Sequence, residues 1–332
     1  MNRIFSRCSS CSVFAAAVAV AASGFMGSAA GQLTADRTYY GADRPIPVTA
    51  QAPAGVSGAV EIKLYASLTG EPIATAAADL GRLDLASLLP SLWQDESAEI
   101  RWAQLFVGGS ALGSPLVIQP MVSPDRAVLK PDRRSVSFES DRVPNRPTVF
   151  SGIVAYESQN VMIETSEGPI EVRMRPDAAP NTVRNFLDLV EGGFYTDIIF
   201  HRIIPEFVVQ VGDPTGTGRG GPGAYVDLEK STLPHDFGVM SMARSQDPDS
   251  GGSQIFICLS RARTRALDGG YTAFAEMVAG ADVLTKIAGA DIGPGDRPTD
   301  PPVMRSARLV PAPPITETAD RVQPPAAEPV QR

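Results

Sequence analysis

The run Phe200-His201-Arg202-Ile203-Ile204-Pro205-Glu206-Phe207-Val208-Val209-Gln210 sets a guanidinium, an aromatic ring and an amide along one alternating apolar segment. Side chains two apart on a strand share a face, so the segment reads as a substrate groove built on strands. Pro205 has no N–H to give to a ladder and turns the chain, placing Arg202 before a bend and Phe207 and Gln210 after it. The guanidinium stays charged and offers a fixed fork of N–H donors. His201 neighbours Arg202 and points to the opposite face of a regular strand, which gives it a structural role rather than acid–base work.

Further blocks follow in order: Gly212-Asp213-Pro214-Thr215-Gly216-Thr217-Gly218, Ser241-Met242-Ala243-Arg244, Gly252-Ser253-Gln254-Ile255-Phe256-Ile257 and Leu267-Asp268-Gly269. Together with the first run they resemble the cyclophilins, a family of peptidyl-prolyl cis-trans isomerases, over residues 158–310. The resemblance implies a mainly β fold, a closed antiparallel β-barrel capped by two helices, with no cofactor and no metal. It implies Arg202 as the catalytic donor and a proline pocket lined by Phe207, Val208, Phe256 and Leu267. Gln210, Gln254 and the backbone at Ala243 and Arg244 match positions that hold the substrate's main chain, and Tyr271 completes the substrate-binding set. Departures are Val211 for a usual glycine, Arg244 for asparagine, Ala266 where many eukaryotic members have tryptophan and Tyr271 where those members have histidine. The last two resemble bacterial-type members and argue against tight cyclosporin binding.

The chemistry such a site must do follows from the amide, whose partial C–N double bond sets a barrier of about 18–20 kcal/mol. At X-Pro the isomers are close in energy but exchange slowly. No covalent bond need break. A site that favours the twisted amide, with a pyramidal prolyl nitrogen accepting a hydrogen bond, accelerates the exchange. An acceleration on the order of a hundred-thousandfold asks for about 7 kcal/mol from all contacts together. The alternative is a non-catalytic proline-peptide binding module, in which the Val211 and Arg244 changes serve recognition.

The elements that position these residues are legible in part. Asn160 to Met174 alternates apolar residues around Ser166-Glu167-Gly168, the pattern of a hairpin. Pro180 suits a first helical position, Val183, Phe186, Leu187 and Val190 recur at three- and four-residue steps, and Gly192 can close the helix. Ala281 to Ala288 is a second, shorter helix.

Upstream, residues 31–122 carry short alternating segments such as Val60–Tyr65, which predict a small sandwich-like β-rich domain of unknown role. Asp84 to Trp93 fits one short helix, and Trp93 and Trp102 read as core or domain-interface anchors. Residues 123–150 lack either period and read as a linker, 151–312 as the isomerase-like domain, and the Pro-rich stretch 313–332 as a disordered tail.

Met1 to Ala30 is laid out like a secretory signal: Arg3 and Arg7, an apolar run from Val13 to Met26, then Ser28-Ala29-Ala30. The run falls short of the roughly 20 residues that span a bilayer, so the expectation is export to a bacterial periplasm or beyond, without stable membrane insertion. Cleavage there leaves Cys258 alone, so no internal disulfide forms, and its apolar neighbours make it a small buried hydrophobe. The net charge of −8 argues against a nucleic-acid partner, and the resemblance implies proline-containing polypeptides as the expected ones. Gly216–Gly221 matches a dinucleotide fingerprint in letters only, because Pro222-Gly223 follow where a helix must start. Asp247-Pro248-Asp249 begins like a calcium loop but meets Cys258 at the twelfth position, and two histidines are too few for a transition-metal site.

Overall fold

The structure is a computed structural model that describes residues 31–94, 99–122, 126–129, 136–139 and 150–325. The leader-like segment 1–30, most of the expected linker and the final residues 326–332 lie outside the described residues.

Alternation makes the first unit. In Pro47–Gln51, Val48 and Ala50 turn inward while their neighbours stay partly exposed. This strand lies between Gln32–Ala35 and Gly81–Asp84 in a three-stranded antiparallel sheet. A second sheet has six strands in the order Tyr39–Gly41, Phe150–Glu157, Ser110–Val122, Arg101–Val107, Val60–Tyr65 and Ala74–Ala78. One apolar cluster joins the two sheets, with Leu33, Val48, Leu64, Leu105, Ile118 and Ile153 among its buried members, so the layers pack as a sandwich.

The helix expected over Asp84 to Trp93 is two single turns, Leu85–Leu88 and Ser91–Gln94. Asp84 caps the first by accepting from the Ala86 N–H at 3.1 Å, and Pro90 bars its preceding residue from helical geometry. Trp102 is fully buried, and Trp93 donates to the Arg44 carbonyl at 3.0 Å.

The strand Phe150–Glu157 corrects the boundary placed at residue 151, because it completes the first unit's sheet between Tyr39–Gly41 and Ser110–Val122. Its Ile153 and Ala155 are buried in the sandwich core. Only Ser158 separates it from Gln159–Thr165 of the second unit. The expected linker is also less irregular than its composition suggests, since Arg126–Leu129 pairs with Val136–Glu139.

The second unit is a nine-stranded sheet in the order Ile198–Ile199, Val303–Pro311, Gln159–Thr165, Gly168–Met174, Ala273–Ala279, Val239–Met242, Ile255–Cys258, Val208–Val211 and Arg202–Ile204. All nine strands contribute buried residues to a single core, so the sheet curls around it. It is nevertheless open rather than the closed barrel that the resemblance implies: the two outer strands do not pair with each other. The reason is covalent. These edges are consecutive in the chain, joined only by Phe200-His201, and the eight antiparallel pairings between them leave both running the same way; parallel strands need a connection of about a dozen residues or more to lie side by side.

The expected hairpin and helices are present as Gln159–Thr165 with Gly168–Met174, Pro180–Glu191 and Ala281–Ala288. Ala179, which precedes Pro180, offers no side-chain cap. Glu229 does the capping from a distance, accepting from the N–H groups of Asn181 and Thr182 at 3.0 and 2.8 Å.

The stretch 313–332, expected to be a disordered tail, is ordered as far as it is described, to residue 325. Ile315 is buried beside Trp102 on the outer face of the six-stranded sheet, and its N–H donates to Gln104 at 3.0 Å. The chain then returns to the second unit. Arg173 donates to the Ala319 carbonyl, Arg321 pairs with Asp236 at 2.8 Å and the Val322 N–H reaches the Met277 carbonyl at 2.9 Å. Proline prevents regular structure here but does not prevent an extended strap from using one hydrophobe and its backbone groups.

Candidate active site

Register sets out the site. Arg202 faces Gln210, Gln210 faces Phe256 and Phe256 faces Ser241 across four neighbouring strands. Ile203, Val209, Val211 and Ile257 take the alternate positions and fill the main core. Val211 therefore points into the core and away from the groove. Pro205, Glu206 and Phe207 make the turn; the Phe207 N–H donates to the Ile204 carbonyl at 3.0 Å, and Glu206 adopts φ 59° while pairing with Arg263 at 2.7 Å.

Nine of the ten residues expected at the site, Arg202, Phe207, Val208, Gln210, Ala243, Arg244, Phe256, Leu267 and Tyr271, line one cavity of about 130 Å³. Gln254, the tenth, lies just behind: it accepts from Gln210 Nε2 at 2.9 Å and donates to the Gly220 carbonyl at 2.9 Å. The Ala243 N–H is already bonded to the Gln254 carbonyl, so any main-chain hold on a substrate at Ala243 falls to its own carbonyl. His201 does not line this cavity; it is buried with neither ring nitrogen partnered, and burial lowers its pKa.

Arg202 faces the cavity and also meets Asp296, with Nε and Nη2 each 3.3 Å from one carboxylate oxygen. Both side chains are nearly half exposed, 42% and 47%, and such a pair is worth at most about 1 kcal/mol. One edge of the guanidinium is engaged, and the group is not locked away from the niche.

The floor comes from residues the sequence reading did not assign. Phe256 stacks on His235 at 5.9 Å and 16°, while Tyr271 meets its edge at 5.6 Å and 82°. His235 is buried between Asp268, 2.9 Å from Nδ1, and Ser241, 2.9 Å from Nε2. This has the residue types of a nucleophilic triad, but Ser241 is fully buried beneath Phe256, where no substrate carbonyl can reach it. The network holds the floor rigid. Burial lowers the His235 pKa despite the Asp268 carboxylate, and Arg261 holds Asp268 well below the usual carboxylate range. Burial likewise pushes the Cys258 thiol up to about 12, leaving it inert. Asp268 and Ser241 within the matched blocks were the available signal; His235 lies outside every block, and the pairing depends on long-range register.

A larger cavity of about 540 Å³ adjoins the first and shares Gln210, Ala243 and Arg244 with it. The glycine-rich loop forms one wall. Asp213, fully buried, accepts from the N–H groups of Thr215, Gly218 and Arg219 and from the Thr215 hydroxyl. Burial works to raise this carboxyl, and those donors override it, holding it well below the usual range. A Cβ at Gly220 would lie 2.0 Å from Asp213 Oδ1, so the loop can close over the carboxylate only with glycine there. Arg244 stacks 4.6 Å over Tyr271 and donates to the carbonyls of Gly270 and Ser245, both at 3.0 Å.

Residues 160–309 match the family model described as cyclophilin type peptidyl-prolyl cis-trans isomerase/CLD. The chain is 41% identical over 147 residues to peptidyl-prolyl cis-trans isomerase ppi1 of Schizosaccharomyces pombe, covering 43% of this chain and 93% of that relative. It is 39% identical over 189 residues to peptidyl-prolyl cis-trans isomerase-like 2 of Cryptococcus neoformans, covering 54% of this chain and 31% of that relative's length. A solved cyclophilin type isomerase of Cryptosporidium parvum, crystallised in the presence of the dipeptide Ala-Pro, is 34% identical with a TM-score of 0.44, covering 46% of this chain and 99% of that one.

Proposed function

This chain belongs to the cyclophilin-type peptidyl-prolyl cis-trans isomerases, and we propose that its second unit turns X-Pro bonds of exported polypeptides by stabilising the twisted amide. The observation that carries the mechanism is the meeting of Arg202 with Phe207, Val208, Phe256 and Leu267 in one small apolar niche. A proline ring seated there is held on one side of its amide bond. The guanidinium at the rim then donates to the prolyl nitrogen as that atom becomes pyramidal, an interaction stronger in the transition state than in the ground state. The partly exposed amide of Gln210, steadied by Gln254, holds neighbouring main chain so that the other side rotates against a fixed frame.

Exchange spectroscopy on a proline-containing tetrapeptide tests this reading. The intact chain is expected to speed exchange, and Arg202→Ala to lose about a hundredfold or more, the usual cost of one transition-state donor, while retaining the fold and measurable peptide binding. Full activity in Arg202→Ala would remove that residue from the mechanism. Saturable binding by the intact chain without faster exchange would instead make it a recognition module. Export is supported by the leader-like order of charges, apolar run and small residues in Met1 to Ala30. Sequencing the N-terminus of the protein recovered from an expressing bacterium is expected to find a start near residue 31 in the periplasmic fraction, and an intact Met1 in the cytoplasm would overturn it.

A further inference from the structure

We infer that the larger cavity takes an acidic side chain of the substrate, so that the protein favours X-Pro bonds with Glu or Asp within two residues of the proline. The inference rests on the isomerase reading of the adjoining niche. The two cavities share Gln210, Ala243 and Arg244, so a peptide whose proline fills the smaller one continues along the larger. The residues of the larger lining include two arginines, Arg219 and Arg244, and no Asp or Glu. This cationic stretch runs against a composition of 37 acidic to 29 basic residues.

The nearby acids lie outside the lining. Asp213 lies buried beneath the loop and is enclosed by N–H groups. Asp247 accepts from the Asp249 N–H and Asp249 from the Leu228 N–H, and neither lines the cavity. Arg244 is fixed over Tyr271 by two carbonyls that engage Nε and Nη1, which leaves Nη2 to a ligand. The Arg219 guanidinium is exposed and has no partner among the described residues. One fixed and one adaptable cation flanking a roomy polar cavity suit a carboxylate.

The experiment compares exchange rates of peptides carrying Glu, Ala or Lys one or two residues to either side of a common Ala-Pro bond. At one of these positions Glu is expected to exceed Lys about tenfold in kcat/KM, since each exposed pair carries up to about a fivefold preference. The ratio should shrink as salt is added. Arg219→Glu should invert it, a ratio that partial misfolding does not alter. Rates within twofold for all three residues at every position, or an unmoved ratio in Arg219→Glu, would overturn the inference. If no peptide is accelerated, the isomerase reading itself fails. Equilibrium binding of the same peptides then reads the charge preference alone, where a Glu-over-Lys order upholds the inference and its absence ends it.

Discussion

Arg202 and Asp296 define the question at the scale of single residues. Their contact is exposed and made to one carboxylate oxygen, so the pair constrains the guanidinium weakly. Asp296→Ala is expected to leave kcat/KM within about fivefold, because an exposed pair contributes no more than that order. A hundredfold fall, equal to that of Arg202→Ala, would mean that the carboxylate sets the donor's aim. The imidazoles bear on stability instead. Burial lowers the pKa of both His201 and His235 below the ordinary 6.5, so the unfolded chain takes up protons that the native state refuses. Stability from these groups is complete above about pH 6.5 and is lost as pH falls below it toward their native values. Carboxylates with lowered pKa, such as Asp268 and Asp213, act only at more acid pH. Urea midpoints should therefore drop between pH 7.5 and 5.5, and equal midpoints would show that neither imidazole is held neutral. The residue types at the niche were legible because they sit in contiguous blocks. Asp296 was not, since it reaches Arg202 from 94 positions away.

At the scale of elements, local signals carried the reading furthest. The helix from Pro180 to Glu191 and the hairpin at Ser166 follow from periodicity and turn chemistry that a window of a dozen residues contains. The open seam, the Glu229 cap and the strand exchange at Phe150–Glu157 depend on partners far along the chain, where periodicity is silent. The glycine-rich loop shows the difference most directly. Its letters resemble a phosphate cradle, yet it folds around its own Asp213 carboxylate. Gly220→Ala would drive a methyl into Asp213 and Thr215. The expected cost is roughly 1–3 kcal/mol in stability, with a fall in kcat/KM because Gln254 anchors to the Gly220 carbonyl. Gly221→Ala meets nothing within 4 Å and should be neutral in stability. Matching melting temperatures for the two variants would show that the loop yields freely.

For the molecule as a whole, the two units are built into each other. Phe150–Glu157 runs through Ser158 directly into the second unit's sheet, the Ser158 N–H donates to the Pro115 carbonyl, and the strap from Ala312 to Val322 touches both. A fragment cut at residues 151–312, the boundaries that composition suggests, would keep a strand whose partners are gone and lose the strap. That strand would uncover Ile153 and Ala155 and present unpaired backbone edges, the usual template for aggregation. A fragment of 158–325 keeps every strand of the nine-stranded sheet together with the Arg321–Asp236 and Val322–Met277 contacts. The shorter cut is therefore expected to elute as aggregates and the longer one as a discrete, active species, when both are compared by size-exclusion chromatography and the exchange assay. Equal behaviour would mean that the strand and strap join the units without being needed by the second. Loss of activity in both, with the whole chain active, would mean that the sandwich supports the niche.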